Sequence, residues 1–214
     1  TIANGNAAST SVLVADDGAT VEIASGKTLT TNTNVGLIAT KGAGLSGAES
    51  EAKNSGTIVS TRADKGIGIY ANAAKGNNIG TITMNNKNAV GMLGVLGSTL
   101  INTKKISLGG VSSAGMYGED SDLTNSTTTS EINVNKKESA GMYVEHSKAT
   151  NKKTILAKGK KSAGIYAKLS EATGGTASGV NDGANTTITM QEEGSAGMLG
   201  EVKSTVTTGT GTTL

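Results

Sequence analysis

Few residues in this chain have types and spacing suited to chemistry, and the chemistry they offer narrows quickly. His146 is the only histidine and Arg62 the only arginine among 214 residues, and cysteine is absent. A nucleophile–histidine–carboxylate triad or a histidine-ligated metal would have to be built on His146. That residue follows Glu145, and no other part of the sequence repeats the arrangement, so it reads as a solvated loop histidine. The acidic run Glu119-Asp120-Ser121-Asp122 offers oxygen ligands of the kind calcium takes. It falls short of the ligand count calcium demands and lacks a Gly-Gly-x-Gly-x-Asp repeat, which favours a solvated acidic loop. Gly26-Lys27-Thr28 has the ending of a phosphate-binding loop, but the glycine required five residues earlier is Val21, which leaves a turn entering a strand. Gly66-Ile67-Gly68 has no surrounding βαβ unit and is not a dinucleotide fingerprint. No set of carboxylates or basic residues clusters near Arg62 as a polysaccharide-cleaving β-helix would need. The expectation is a non-enzymatic protein with no catalytic residue, no metal and no cofactor.

Two other residue sets recur along the chain. Lys65, Lys87, Lys136, Lys137, Lys158, Lys160 and Lys161 precede a repeated glycine. Stacked, they would form a basic edge that either discourages sideways sheet pairing or attracts an anionic ligand. The only aromatic residues are the four tyrosines: Tyr70, Tyr117, Tyr143 and Tyr166 share one slot of a repeat, and Leu93 and Leu199 fill the same slot elsewhere. If Ala114 and Met116 point inward, strand alternation sends Gly115 and Tyr117 outward. Tyr70, Leu93, Tyr117, Tyr143, Tyr166 and Leu199 are then a candidate interaction stripe, with Ile38 at its near end, suited to sugar or protein contact. The competing arrangement tucks each ring against the coil as a structural stack, which the exchange of Tyr for Leu or Ile favours.

The elements that must position these residues come from the repeat itself. Ser113-Ala114-Gly115-Met116-Tyr117 returns as Ser139-Ala140-Gly141-Met142-Tyr143 and as Ser162-Ala163-Gly164-Ile165-Tyr166, with looser copies around Gly36, Gly68, Gly91 and Gly197. A second motif, Asn54-Ser55-Gly56-Thr57-Ile58 in its fullest form, precedes each copy. Ile82, Ile106, Ile132, Ile155 and Ile188 each lie nine residues before the next motif glycine, and Ile58 ten before. The glycine-to-glycine periods are 32, 23, 24, 26, 23 and 33. One half of the repeat is therefore fixed and the other takes insertions, approximately Lys41–Lys53 and Leu169–Asn185, as in a solenoid with loops on one edge.

Apolar residues two apart, as in Thr187-Ile188-Thr189-Met190, indicate strands. Three short strands fit each period, the third near Ser98–Ile101, Asp122–Thr124 and Ser204–Thr207. The predicted fold is an all-β, right-handed parallel β-helix of about seven coils, with roughly 23–26 residues in each and two longer loop-bearing coils. Residues 1–33 read as an irregular first coil, 34–200 as the repeat β-helix, and 201–214 as the start of a further coil. Inward ladders follow at Ile58, Ile82, Ile106, Ile132, Ile155 and Ile188; at Met84, Leu108, Val134, Ala157 and Met190; and at Leu37, Ile69, Met92, Met116, Met142, Ile165 and Met198. Asn54, Asn78, Asn102 and Asn151, each four residues before a ladder Ile, predict a turn-stabilising asparagine ladder. The composition agrees: 31 glycines, no proline and no Phe or Trp suit a thin core of small stacked side chains.

The spacing Asn-x-Gly-Thr-Ile followed by Ser-Ala-Gly-Met-Tyr, best over residues 54–200, resembles the passenger repeats of large fusobacterial type V autotransporters, the RadD-like adhesins. The resemblance implies secretion through an outer-membrane barrel, an extracellular location at the bacterial surface, and attachment to a glycan or protein receptor on host cells or other bacteria. It carries over no binding residue. With a formal net charge of +2 and no span-length apolar run, neither nucleic acid nor direct membrane insertion is expected. The chain is expected to be a mature passenger piece. Neither end reads as a polar cap, which makes a spacer, or a filament subunit associating end to end, the alternative to an adhesin.

Overall fold

The computed structural model describes residues 7–9, 12–41, 49–126, 129–168, 178–181, 186–201, 203–208 and 212–213. Every regular element among them is a strand, and every strand pairs in parallel with its equivalent one coil away. The chain is an all-β parallel solenoid with three sheets, and the expectation of about seven coils is close to what the stack shows. A tyrosine sheet contains Leu13–Asp16, Val35–Thr40, Asp64–Asn72, Lys87–Val95, Ala114–Glu119, Ala140–Glu145, Ala163–Lys168 and Ala196–Glu201. An asparagine sheet follows in each coil, with Thr20–Ile23, Glu51–Asn54, Lys75–Asn78, Thr99–Asn102, Asp122–Asn125, Lys148–Asn151, Ser178–Asn181 and Thr205–Thr208. An isoleucine sheet completes the turn: Ala7–Ser9, Thr28–Thr31, Thr57–Ser60, Thr81–Met84, Lys105–Leu108, Glu131–Val134, Thr154–Ala157, Thr186–Met190 and Thr212–Thr213.

The repeat forms this shape because its strands are only four to six residues long at most positions, with Thr, Ile and Val at pleated sites and a turn residue at each corner. Parallel register places like on like, about 4.8 Å apart. The isoleucine ladder from Ile58 to Ile188 is fully buried and extends back to Leu29. Its neighbour Met84, Leu108, Val134 and Ala157 is buried, with Met190 partly so. The ladder from Leu37 through Ile165 is buried, and Met198 is partly buried. Residues 12–33 are less irregular than their sequence indicates. Leu13, Val21 and Leu29 occupy the same registers as the repeats, one in each sheet. The two insertions are also shorter than expected, because Glu51–Asn54 and Ser178–Asn181 are strands of the asparagine sheet. The remaining insertion segments, 42–48, 169–177 and 182–185, lie outside the described residues.

Each corner carries its own polar ladder. Between the asparagine and isoleucine sheets, Asn54, Asn78, Asn102, Asn125 and Asn151 are completely buried. The amides of Asn54, Asn78, Asn102 and Asn125 each donate to the next coil's side-chain oxygen at 2.7–2.8 Å. A primary amide is both donor and acceptor, so a stack of identical residues satisfies itself head to tail. Asn125 stands seven residues before Ile132, which hid it from a spacing of four. The ladder starts at Asn54 because its register partner in the preceding coil is Ile23, and the Asn54 Oδ1 is left without a donor. The other two corners use serine. Ser98, Ser121 and Ser147 accept the N–H of Ala74, Ser98 and Ser121, one coil back, at 2.8–3.2 Å. Ser113, Ser139, Ser162 and Ser195 likewise accept from Ala89, Ser113, Ser139 and Ser162 at 3.1–3.3 Å.

Beside these serines the chain turns through the left-handed region. Lys65 and Asn88 do so at the start of their tyrosine strands, and Ser112, Glu138 and Lys161 just before theirs; Asp17, Ala73, Leu96, Asp120, His146 and Lys203 do so after them. A single left-handed residue costs about 1–2 kcal/mol. Hydrogen bonds between successive coils, such as Ser112 N–H to Lys137 O (3.1 Å) and Asp120 N–H to Glu145 O (3.1 Å), help offset it.

Candidate functional site

The tyrosine strand does not alternate as its sequence suggests. Gly115 and Met116 are both buried, while Ala114 and Tyr117 are partly exposed, so the strand bends at the glycine. A Cβ on Gly115 would stand 2.5 Å from Gly141 O and 2.4 Å from Ile132 Cγ2. The same two neighbours, the glycine carbonyl and the isoleucine methyl of the next coil, crowd Gly36, Gly68, Gly91, Gly141 and Gly164. The expectation that Ala114 faces inward and Gly115 outward is therefore corrected. The glycine lets the isoleucine of the following coil fill the space above it, and the two motifs are halves of one packing unit.

The bend leaves a groove of about 500 Å³ on the outer surface. Val90, Ala114, Ala140, Ala163 and Ala196 line its floor; Tyr117, Tyr143, Tyr166 and Leu199 stand along one side; Ser112, Glu138, Lys161 and Gly194, the left-handed rung, lie along the other. Tyr117, Tyr143 and Tyr166 are brought together in register. Tyr117 and Tyr143 stack with ring centroids 5.0 Å apart and planes 28° apart; Tyr143 and Tyr166 are 4.9 Å apart at 40°. Both expected arrangements hold in part: the rings project out of the coil, and they stack on one another. Both faces of Tyr143 are occupied, so a flat sugar face has no free surface on that ring. Tyr70 is set apart, because its register partners are Ile38 and Leu93. Leu199 is 39% exposed.

The hydroxyls are tied to carboxylates that the sequence analysis did not single out. Tyr117 Oη donates to Glu145 Oε2 at 3.1 Å, Tyr143 Oη donates to Glu145 Oε1, and Tyr166 Oη donates to Glu201 Oε2 at 2.6 Å. The signal was present, since Glu follows the slot residue by two at Glu119, Glu145 and Glu201. Tyr117 and Tyr166 reach the carboxylate of the next coil. Tyr143 uses its own, because its next coil offers Lys168, which lies 3.9 Å from Glu145. Burial first, and then the Glu145 carboxylate, pushes Tyr117 and Tyr143 well above the usual phenol range. Burial followed by the hydrogen bond to Glu201 raises Tyr166 to about 12.

The lysine edge is not a continuous basic stripe. On one rung stand Asp64, Lys87, Val111, Lys137, Lys160 and Glu193; on the next, Lys65, Asn88, Ser112, Glu138, Lys161 and Gly194. Only Lys137 and Lys160 are stacked neighbours. Lys136 and Lys158 occupy two further rungs. Lys87 lies 3.9 Å from Asp64 and Lys137 3.4 Å from Glu138, which makes the edge one of mixed charge.

His146 is not a solvated loop residue. It holds the left-handed corner position shared with Ala73, Leu96 and Asp120, its side chain is 6% exposed, and Nδ1 lies 3.9 Å from Asp120 Oδ1. Glu119, Asp120 and Asp122 are exposed on either side of the buried Ser121. Among the described residues no group of three His, Cys, Asp or Glu is placed to hold a metal ion. Arg62 clamps the turn before the tyrosine sheet, donating through Nε to Asp64 O and Lys65 O and through a terminal nitrogen to Asn32 O at 3.0–3.2 Å. No family model, curated protein or solved structure matches the chain.

Proposed function

We propose that this chain is a non-enzymatic adhesin segment of a bacterial surface protein, an autotransporter passenger whose contact face is the tyrosine groove. The observation that carries the reading is the groove itself. It is a concave, alanine-floored surface flanked by tyrosines and by Ser112, Glu138 and Lys161, repeated coil by coil on a scaffold whose other polar ladders are turned inward. Aromatic edges beside polar groups are the usual makings of a recognition surface. The partner would be a glycan or protein receptor on a host cell or another bacterium, reached from outside the outer membrane. A spacer role is the second reading, favoured by the unbroken Asn and Ser ladders, which make the coil stack a self-consistent rod.

Binding of the labelled chain to epithelial cells and to partner bacteria tests the proposal. Saturable binding, abolished by Ala140→Trp, is the expected result, because Ala140 floors the groove and its side chain does not enter the core. Absence of saturable binding to every surface, with circular dichroism showing an intact fold, would refute adhesion by this segment and leave the spacer.

A further inference from the structure

We propose that the stacked pair Tyr117 and Tyr143 is a site of oxidative cross-linking, which joins two successive coils through a carbon–carbon bond. This inference is independent of the adhesion reading. Parallel register sets the two rings one above the other, with centroids 5.0 Å and planes 28° apart. Both hydroxyls donate to the same carboxylate, Glu145. A phenol loses an electron readily only when its proton has somewhere to go, and Glu145 is positioned to receive it from either ring. Both rings are partly exposed, so a surface oxidant reaches them.

The reaction balances with a peroxide as terminal oxidant. Each phenol gives one electron to the oxidant and its hydroxyl proton to Glu145, and thence to solvent. The two phenoxyl radicals carry spin on the carbons ortho to oxygen, and a bond forms between one such carbon of each ring. The two ring hydrogens then leave as protons while the oxygens are reprotonated to phenols. The sum is two tyrosines and one hydrogen peroxide giving one dityrosine and two waters.

The ladder supplies its own control. Tyr70 has only Ile38 and Leu93 as rung neighbours and no ring to couple with. Tyr166 stacks on Tyr143 at a steeper 40° and donates to a different carboxylate, Glu201, which makes it the slower partner.

The experiment treats the dilute chain with hydrogen peroxide and a haem peroxidase, then reads dityrosine fluorescence and maps cross-linked peptides by mass spectrometry. The expected result is an intramolecular cross-link, at unchanged chain mass class on a denaturing gel, joining the Tyr117 and Tyr143 peptides, with Tyr70 absent from it. Tyr143→Phe should lose this product while retaining the ring stack, and Tyr70→Phe should keep it. Glu145→Gln should slow it. Cross-links that are only intermolecular, that include Tyr70 as often as Tyr117, or that fail to form would overturn the proposal. A rate unchanged in Glu145→Gln would remove the carboxylate from it.

Discussion

Replacing Gly115 by alanine tests the packing unit that defines this solenoid. The added methyl would lie 2.5 Å from Gly141 O and 2.4 Å from Ile132 Cγ2. Neither neighbour is free to yield. The carbonyl belongs to the next strand of a parallel ladder, and Ile132 is β-branched, fully buried and held by Ile106 and Ile155 in its own register. Overpacking a tight core costs about 1–3 kcal/mol, and two neighbours that cannot yield place Gly115→Ala toward the upper end, at about 3 kcal/mol. Against a typical total of roughly 5–15 kcal/mol that is a large fraction.

Gly118, three residues along the same strand, is the control. The atoms nearest a methyl there all belong to the Leu123 side chain, at 3.1–3.3 Å, and the equivalent positions already hold Ala71, Val144 and Ala167. Gly118→Ala should therefore cost far less. The assay is urea unfolding followed by circular dichroism, comparing midpoints at unchanged slope. A Gly115→Ala loss below about 1 kcal/mol, or one no larger than that of Gly118→Ala, would refute the reasoning that the motif glycine is fixed by the next coil's isoleucine.

Three further outcomes are expected. Gly118 faces Leu123, whereas the next coil pairs Val144 with Ala149, so volume is exchanged between the two positions; Gly118→Val and Leu123→Ala should each destabilise, and a double-mutant cycle should recover a coupling of about 1–3 kcal/mol. Asn102→Ala breaks two amide links, to Asn78 and Asn125, whereas Asn54→Ala breaks one, because Asn54 Oδ1 already lacks a donor; each leaves one buried oxygen unpaired, at about 1–3 kcal/mol, and since Asn78 Nδ2 keeps Lys105 O, the first should exceed the second in thermal unfolding by about 0.5–1.5 kcal/mol, the net worth of one hydrogen bond. The raised pKa values of Tyr117, Tyr143 and Tyr166 mean that the unfolded chain releases protons first as pH rises through the ordinary phenol value of 10.0. Stability from these groups is thus present below pH 10 and lost above it, and absorbance titration should show their phenolates forming later than in the urea-unfolded chain.

How far the sequence could be read differs by element. The interior ladders were legible because parallel stacking repeats one residue type at one register, and the nine-residue spacing from Ile to Gly has no insertion to blur it. The third strand was legible from Leu100 and Leu123. Asn125 was missed because the spacing to its isoleucine changes in that coil. Glu145 and Glu201 were missed because a carboxylate two residues beyond Tyr says nothing of which coil's hydroxyl it will meet. His146 was misread because a corner that buries a side chain looks, in sequence, like any exposed turn.

By itself the sequence determined the period, the three strands of each coil, the small-residue core and the tyrosine slot, since all of these follow from what recurs along the chain. The tertiary structure decided which way each residue faces. The glycine turns inward because the next coil's carbonyl and isoleucine occupy the place of its missing side chain. That single inward turn bends the strand, sets Ala on the floor and Tyr along the side of a groove, and stacks three rings, two of which, Tyr117 and Tyr143, share the Glu145 carboxylate. Contacts between coils are separated by a whole period in sequence, and alternation within one strand carries no information about them.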